Sequence, residues 1–248
     1  MADTNGINLK WYQKWWGVSL IGLIGLVSVA LIVFLALTGK YWWDIKHGKA
    51  EFLAQTFYSG FAKSTSIAGN SKIDRTKLET ANGPFMGNPN APITIVAFFD
   101  YKCTFSKEAV PIIKKLVGKY SNVKVIIRNF PGESIHPGTE KLSEIAACAF
   151  MDQPDQFWGL FNVLFNKQDK LPAIMTDQDI ANLAGDAGLN YEQLNKCLQS
   201  GKGQIKERKD FADGVDAGVS GTPTFFVNGE MVEGVVPFDI WENFVKNY

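Results

Sequence analysis

The sequence predicts an α/β domain that follows one membrane-spanning helix. Three observations carry this expectation: a charge-free apolar run over residues 15–39, a strand–helix–strand pattern over residues 91–130, and a hairpin signal at Asn228-Gly229 followed by a last helix. A long helical stretch separates the second pattern from the third. At 248 residues the chain has room for one ordinary domain with additions.

The apolar run reads "WWGVSLIGLIGLVSVALIVFLALTG". At about 1.5 Å per residue, roughly 20 helical residues cross a hydrocarbon core of about 30 Å. Trp11, Tyr12, Trp15 and Trp16 stand at one end, and Tyr41, Trp42 and Trp43 at the other. Such rings settle at the headgroup level. A cleaved leader has an apolar region of only about 7–15 residues and a small-residue cleavage site; "LALTGKYWW" offers neither. Residues 15–39 are therefore expected to be a retained single-span anchor in the lipid bilayer, behind an N-terminal tail of residues 1–14. Lys10 and Lys14 precede the run and Lys40, Lys46 and Lys49 follow it, so charge does not orient the span. Residues 40–86 read as a juxtamembrane segment and linker, with the small polar stretch "STSIAGNSK" and the turn-forming "NGPFMGNPNAP".

"APITIVAFFD", residues 91–100, has the near-continuous apolar character of a strand covered on both faces. "KEAVPIIKKLVGKY" then places Val110, Ile113 and Val117 at helical spacing, and "VKVIIRNF" is a second strand. This is a βαβ unit. Helices are expected over "TEKLSEIAACAFMD", "PDQFWGLFNVLF", "TDQDIANLAGDAG", with a capping box from Thr176 and Asp179, and "NYEQLNKCLQSGK" onward to about Gly218. "GTPTFFVNGEMVEGVV" is the hairpin, and "PFDIWENFVKNY" closes the chain as a helix.

Lysine plus arginine equals aspartate plus glutamate at 25 each, which argues against a nucleic-acid partner. There is no glycine-rich phosphate loop, no Cys/His cluster at metal-ligand spacing, and only His47 and His136. Neither a metal nor a cofactor is expected. Cys103, Cys148 and Cys197 form an odd set.

With these motifs in this order, residues 87–248 resemble a thioredoxin-like fold carrying an inserted α-helical subdomain at about residues 137–205. More narrowly they resemble the DsbA-like thiol–disulfide oxidoreductases. Four stretches carry the resemblance: "NPNAPITIVAFFDYKC", "RNFPGESIHPGTEKLSEIAACAF", "FWGLFNVLF" and "VSGTPTFFVNG". The resemblance puts Cys103 at the nucleophile and Pro223 at a cis-proline beside it, with the Thr222 backbone, Thr104 and Phe105 on the substrate side. It also implies a disulfide between Cys148 and Cys197, for which the bare sequence leaves two inert buried thiols equally open. Where the family has its second cysteine, this chain has Ser106.

A cysteine on the first turn of a helix faces unsatisfied N–H groups, which favour its thiolate. That thiolate attacks a disulfide sulfur to give a mixed disulfide. Ser106 has no sulfur with which to resolve the adduct, though its hydroxyl is free to bond the Cys103 sulfur. Three outcomes follow: a monothiol exchange or isomerase-like cycle, a long-lived covalent capture, or a non-catalytic, membrane-tethered binding or chaperone-like domain. The expected partners are proteins with cysteines or disulfides and a membrane redox partner, outside the cytoplasmic membrane. His136 and Asp100 read as solvated loop residues, and Cys103 as part of an exposed turn.

Overall fold

The computed structural model describes residues 10, 15–46, 75–79 and 83–248. The expected tail apart from residue 10, with Trp11 and Tyr12, and most of the linker lie outside what is described, as do the side chains of Trp15, Tyr41, Trp42 and Trp43. The chain divides into two units, Met1–Ile67 and Ala68–Tyr248.

The first unit contains helix α1, Trp15–Lys46, with the apolar stretch Gly22–Lys40 at a mean hydropathy of 2.5 and none of it buried. Leu26, Ile32 and Phe34 are among its exposed side chains. The helix is long and apolar enough to cross a membrane, by length and composition. The helix continues past residue 39, where the charge-free run ends, because Lys40 to Lys46 hold no proline or glycine to stop it.

The second unit is built on a five-stranded sheet. In chain order it comprises α2 (Arg75–Leu78), β1 (Phe85–Gly87), β2 (Ile93–Phe99), α3 (Thr104–Lys119) and β3 (Val123–Asn129). The helical block follows: α4 (Thr139–Asp152), α5 (Phe157–Asn166), α6 (Asp177–Ala187), α7 (Tyr191–Gln199) and α8 (Lys202–Asp216). The chain ends with β4 (Thr224–Val227), β5 (Glu230–Glu233) and α9 (Phe238–Lys246). The strands lie in the order β1-β3-β2-β4-β5. β2 and β3 are parallel, joined through α3, and the remaining pairs are antiparallel. Strand β1 lies where the sequence predicts turn. Its three residues pair with Lys124, Val125 and Ile126, so the sheet starts ahead of residue 87; so short an edge strand has no periodicity to detect.

Every residue of β2 is buried, because the sheet is covered on both sides. Ile93, Ile95, Ala97 and Phe99 face the larger core with α3, α9 and the helical block. Val96 and Phe98 face a smaller cluster with Leu78, Ile126, Phe130 and Phe226. The alternation follows from the two-residue period of a strand. Phe99 meets Phe161, Phe165 and Phe225 at centroid distances of 5.9–6.5 Å, and its truncation to alanine should cost about 3–5 kcal/mol.

The helical block is stapled by a Cys148–Cys197 disulfide with a Cα–Cα distance of 5.7 Å. Helix α8 passes close to it at Gly203, where a Cβ would lie 2.7 Å from Cys148 Sγ and from the Glu144 carbonyl. The capping box of α6 forms as the sequence predicts: Thr176 accepts from the Asp179 amide while Asp179 accepts from the Thr176 amide. A buried ion cluster was not foreseen. Arg128 on β3 pairs with Asp210 at 3.0 Å and with Asp213, both from α8.

Candidate active site

The site forms where β2 runs into α3. Asp100 makes the corner: its carboxylate accepts the Lys102 amide at 2.7 Å, an Asx turn, and its carbonyl accepts the Cys103 amide at 3.2 Å. Cys103 is then the N-cap of α3, at φ −75° and ψ 122°, with its carbonyl taking the Lys107 amide at 3.1 Å. It therefore stands one residue ahead of the first turn in which the sequence placed it. The residue is 5% exposed, not on an open turn. It is buried because the loop before β4 closes over it: Cys103 Sγ donates to the Thr222 carbonyl at 3.1 Å.

That loop is delivered by the sheet. The β2–β4 register pairs Phe98 with Thr224, so one step further sets Pro223 opposite Phe99 and Thr222 beside the turn. The Thr222-Pro223 peptide is cis and Pro223 is buried, while Thr222 is half-buried. Thr104 and Phe105 stand on the first turn of α3 and face solvent, Phe105 at 58% exposure.

Ser106 is fully buried, and its Oγ accepts the Asp100 amide at 3.4 Å. Among the described residues this is its hydrogen bond, and none joins it to Cys103 Sγ. The expected hydroxyl–sulfur contact is thus replaced by one that ties α3 back to the corner. The other two cysteines are joined to each other, which leaves Cys103 as the free thiol.

Asp100 and His136 differ from the solvated loop residues expected, and Gln168 and Tyr101 join the site without a sequence signal. Asp100 is 1% exposed, not solvated, and takes four donors: the Lys102 amide, the Gly132 amide at 2.9 Å, His136 Nδ1 at 2.8 Å and Thr139 Oγ1 at 2.5 Å. His136 is correspondingly held rather than loose, with about a third of its side chain exposed. Gln168, just after α5, donates from Nε2 to the carbonyls of Tyr101 and Cys103, both at 2.9 Å. A glutamine 65 residues from the nucleophile carries no local signal that could have found it. Tyr101, fully buried against Phe161 and Phe165, has its phenol pushed far up by burial. Among the described residues no group of three or more His, Cys, Asp or Glu is placed to hold a metal.

Comparison with known proteins identifies the family. The family model described as Thioredoxin matches residues 79–247. The chain is 32% identical to the Na(+)/H(+) antiporter NhaA 3 of Salinispora tropica over 157 residues, which is 62% of this chain but 22% of that protein. It thus spans about a fifth of the length of that relative. It is 26% identical to Disulfide bond formation protein D of Bacillus subtilis over 63% of this chain and 72% of that one. A periplasmic thioredoxin-like protein from Salmonella enterica serovar Typhimurium superimposes with a TM-score of 0.58 at 26% identity, covering 72% of this chain and 97% of the other. The chain belongs to the thioredoxin family, and within it resembles the DsbA-like thiol–disulfide oxidoreductases.

Proposed function

We propose that this protein is a membrane-anchored thiol–disulfide exchange protein that acts on protein cysteines and disulfides outside the cytoplasmic membrane through Cys103 alone. Residues 15–39 serve as the anchor and residues 87–248 as the working domain. The observation that carries the reading is the state of the three cysteines. Cys103 is free at the head of α3, and the other two are bonded to each other, so no thiol of the chain is left to resolve an adduct.

In the first step the Cys103 thiolate attacks one sulfur of a substrate disulfide. A Cys103–substrate disulfide forms, the substrate S–S bond breaks, and the leaving thiolate takes a proton from solvent. In the second step an external thiolate, from the client or from a membrane redox partner, attacks the adduct and releases Cys103. Ser106 takes no part in the exchange because oxygen does not replace sulfur in it. An extended substrate is held by pairing with the Thr222 backbone, as in strand addition, while Thr104 and Phe105 supply the outer contact surface.

The near-complete burial of Cys103 favours a second reading, a tethered binding domain that does no exchange. One experiment separates the two. The full chain in detergent is mixed near neutral pH with a peptide joined to a dye by a disulfide, and adducts are read by mass. Exchange predicts one adduct at Cys103 that is absent from Cys103→Ala; an inert wild type leaves the binding domain. Anchoring is read by flotation with lipid vesicles, where Leu26→Lys with Val29→Lys should abolish co-flotation, at roughly 2.5–3.5 kcal/mol per buried charge.

A further inference from the structure

We infer that Gln168 is a positioning residue for Cys103, fastening the backbone of the nucleophile to the helical insertion. The inference rests on the exchange reading above and adds to it the group that sets the direction of the thiol.

Two carbonyls lie two residues apart at the corner, those of Tyr101 and Cys103. Both are acceptors only, and Gln168 Nε2 lies 2.9 Å from each. The carboxamide orientation is fixed by this, because the opposite flip would set an oxygen against two oxygens. The side chain is 5% exposed, and its Oε1 is buried with no partner among the described residues. Gln168 thus keeps an unsatisfied oxygen in the interior so that both hydrogens of its amide reach this turn. Cys103 is the N-cap of α3, and its carbonyl also receives the Lys107 amide. Holding that carbonyl fixes the peptide plane that follows Cys103, and with it the direction of the Cα–Cβ bond from which Sγ swings.

The neighbouring contacts run between the same two segments. Lys107 Nζ pairs with Asp169 at 3.0 Å, and Lys102 Nζ donates to the Pro172 carbonyl at 3.0 Å. Those two are at the surface, where water competes and such contacts contribute little. Gln168 is the buried member of the set. A displacement of the thiol by about 1 Å is enough to slow a positioned reaction by roughly a hundredfold.

The test uses the full chain in detergent, with Gln168→Met removing both donors at similar length and Gln168→Glu replacing them by acceptors. The chain is labelled with 13C-cysteine, which gives resonances from only three residues. The probe for rate is the dye-peptide disulfide, whose S–S bond exchanges for a Cys103–peptide bond with release of the dye thiol. The expected result is that the Cys103 carbonyl and Cβ resonances move while those of Cys148 and Cys197 stay. Adduct formation should slow at least about tenfold in molecules that remain folded by circular dichroism. A structural role alone would lower the melting temperature without slowing the folded protein. Unmoved Cys103 resonances, or a rate within about twofold of wild type, overturn the positioning role. If wild type itself forms no adduct, the exchange reading fails. The Cys103 Cβ resonance then decides alone, supporting positioning if it moves in Gln168→Met and overturning it if it does not.

Discussion

Cys103 Sγ and the Thr222 carbonyl oxygen lie 3.1 Å apart across 119 residues of sequence. The contact closes the loop before β4 onto the head of α3, so the thiol and the backbone proposed to hold a substrate form one surface. A carbonyl oxygen only accepts, so the thiol donates its proton to it. The proposed attack on a partner therefore begins with this hydrogen bond broken and the sulfur turned outward.

In the proposed cycle the serine at position 106 sets the number of thiols at one. Ser106→Cys should let Cys103 form an internal disulfide, so that the oxidised protein has no titratable thiol where the wild type has one. The lifetime of the mixed disulfide with a peptide should fall at least about tenfold, as an internal thiol has a high effective concentration. Thiol titration and adduct mass measure both. A persistent thiol in the oxidised variant would mean that residue 106 does not reach Cys103.

Asp100 holds the corner through four donors, of which Thr139 is buried and the other three partly buried. Asp100→Ala should cost about 2–4 kcal/mol, since buried donors left unpaired are penalised at about 1–3 kcal/mol each and part of that is relieved by solvent entry. His136→Ala removes one partner at the half-exposed rim and should cost about 1 kcal/mol. Urea midpoints of the two variants give the ordering, and an equal cost would contradict the four-donor account.

Glu207 on α8 is 4% exposed, and its carboxyl is pushed up to about 7 by burial and by Glu140 and Glu144, against a smaller opposing effect of Arg208. Unfolded, it releases its proton near 4.5. Between these values the unfolded chain binds fewer protons, so stability present below pH 4.5 is lost as pH rises through about 7. Allowing for solvent screening, the loss should be about 1–3 kcal/mol. Glu207→Gln should flatten this dependence and be the more stable form at pH 8, as read by denaturant midpoints across the range.

The Cys148–Cys197 bond closes a loop of 49 residues between α4 and α7. Its reduction should lower stability by about 4 kcal/mol in the chain-entropy model. The expected outcome in unreduced protein is a count of one titratable thiol; three would show the bond absent.

Elements with a local signal are legible in the residues alone. Residues 15–39 declare an apolar helix by length and lack of charge, "ITIVAFF" declares a strand covered on both faces, and Thr176 with Asp179 declares a helix start. Cys103 and Ser106 were legible because their place between strand and helix is a short-range pattern. Tertiary structure alone decided what depends on separated segments. It buried Cys103 under Thr222, turned Ser106 toward Asp100 instead of the sulfur, gathered His136 and Thr139 onto Asp100, and brought Gln168 to the carbonyl of the nucleophile. The physical reason is that burial and hydrogen-bond satisfaction are properties of a site's whole surroundings. Periodicity reports only which face of its own element a residue occupies.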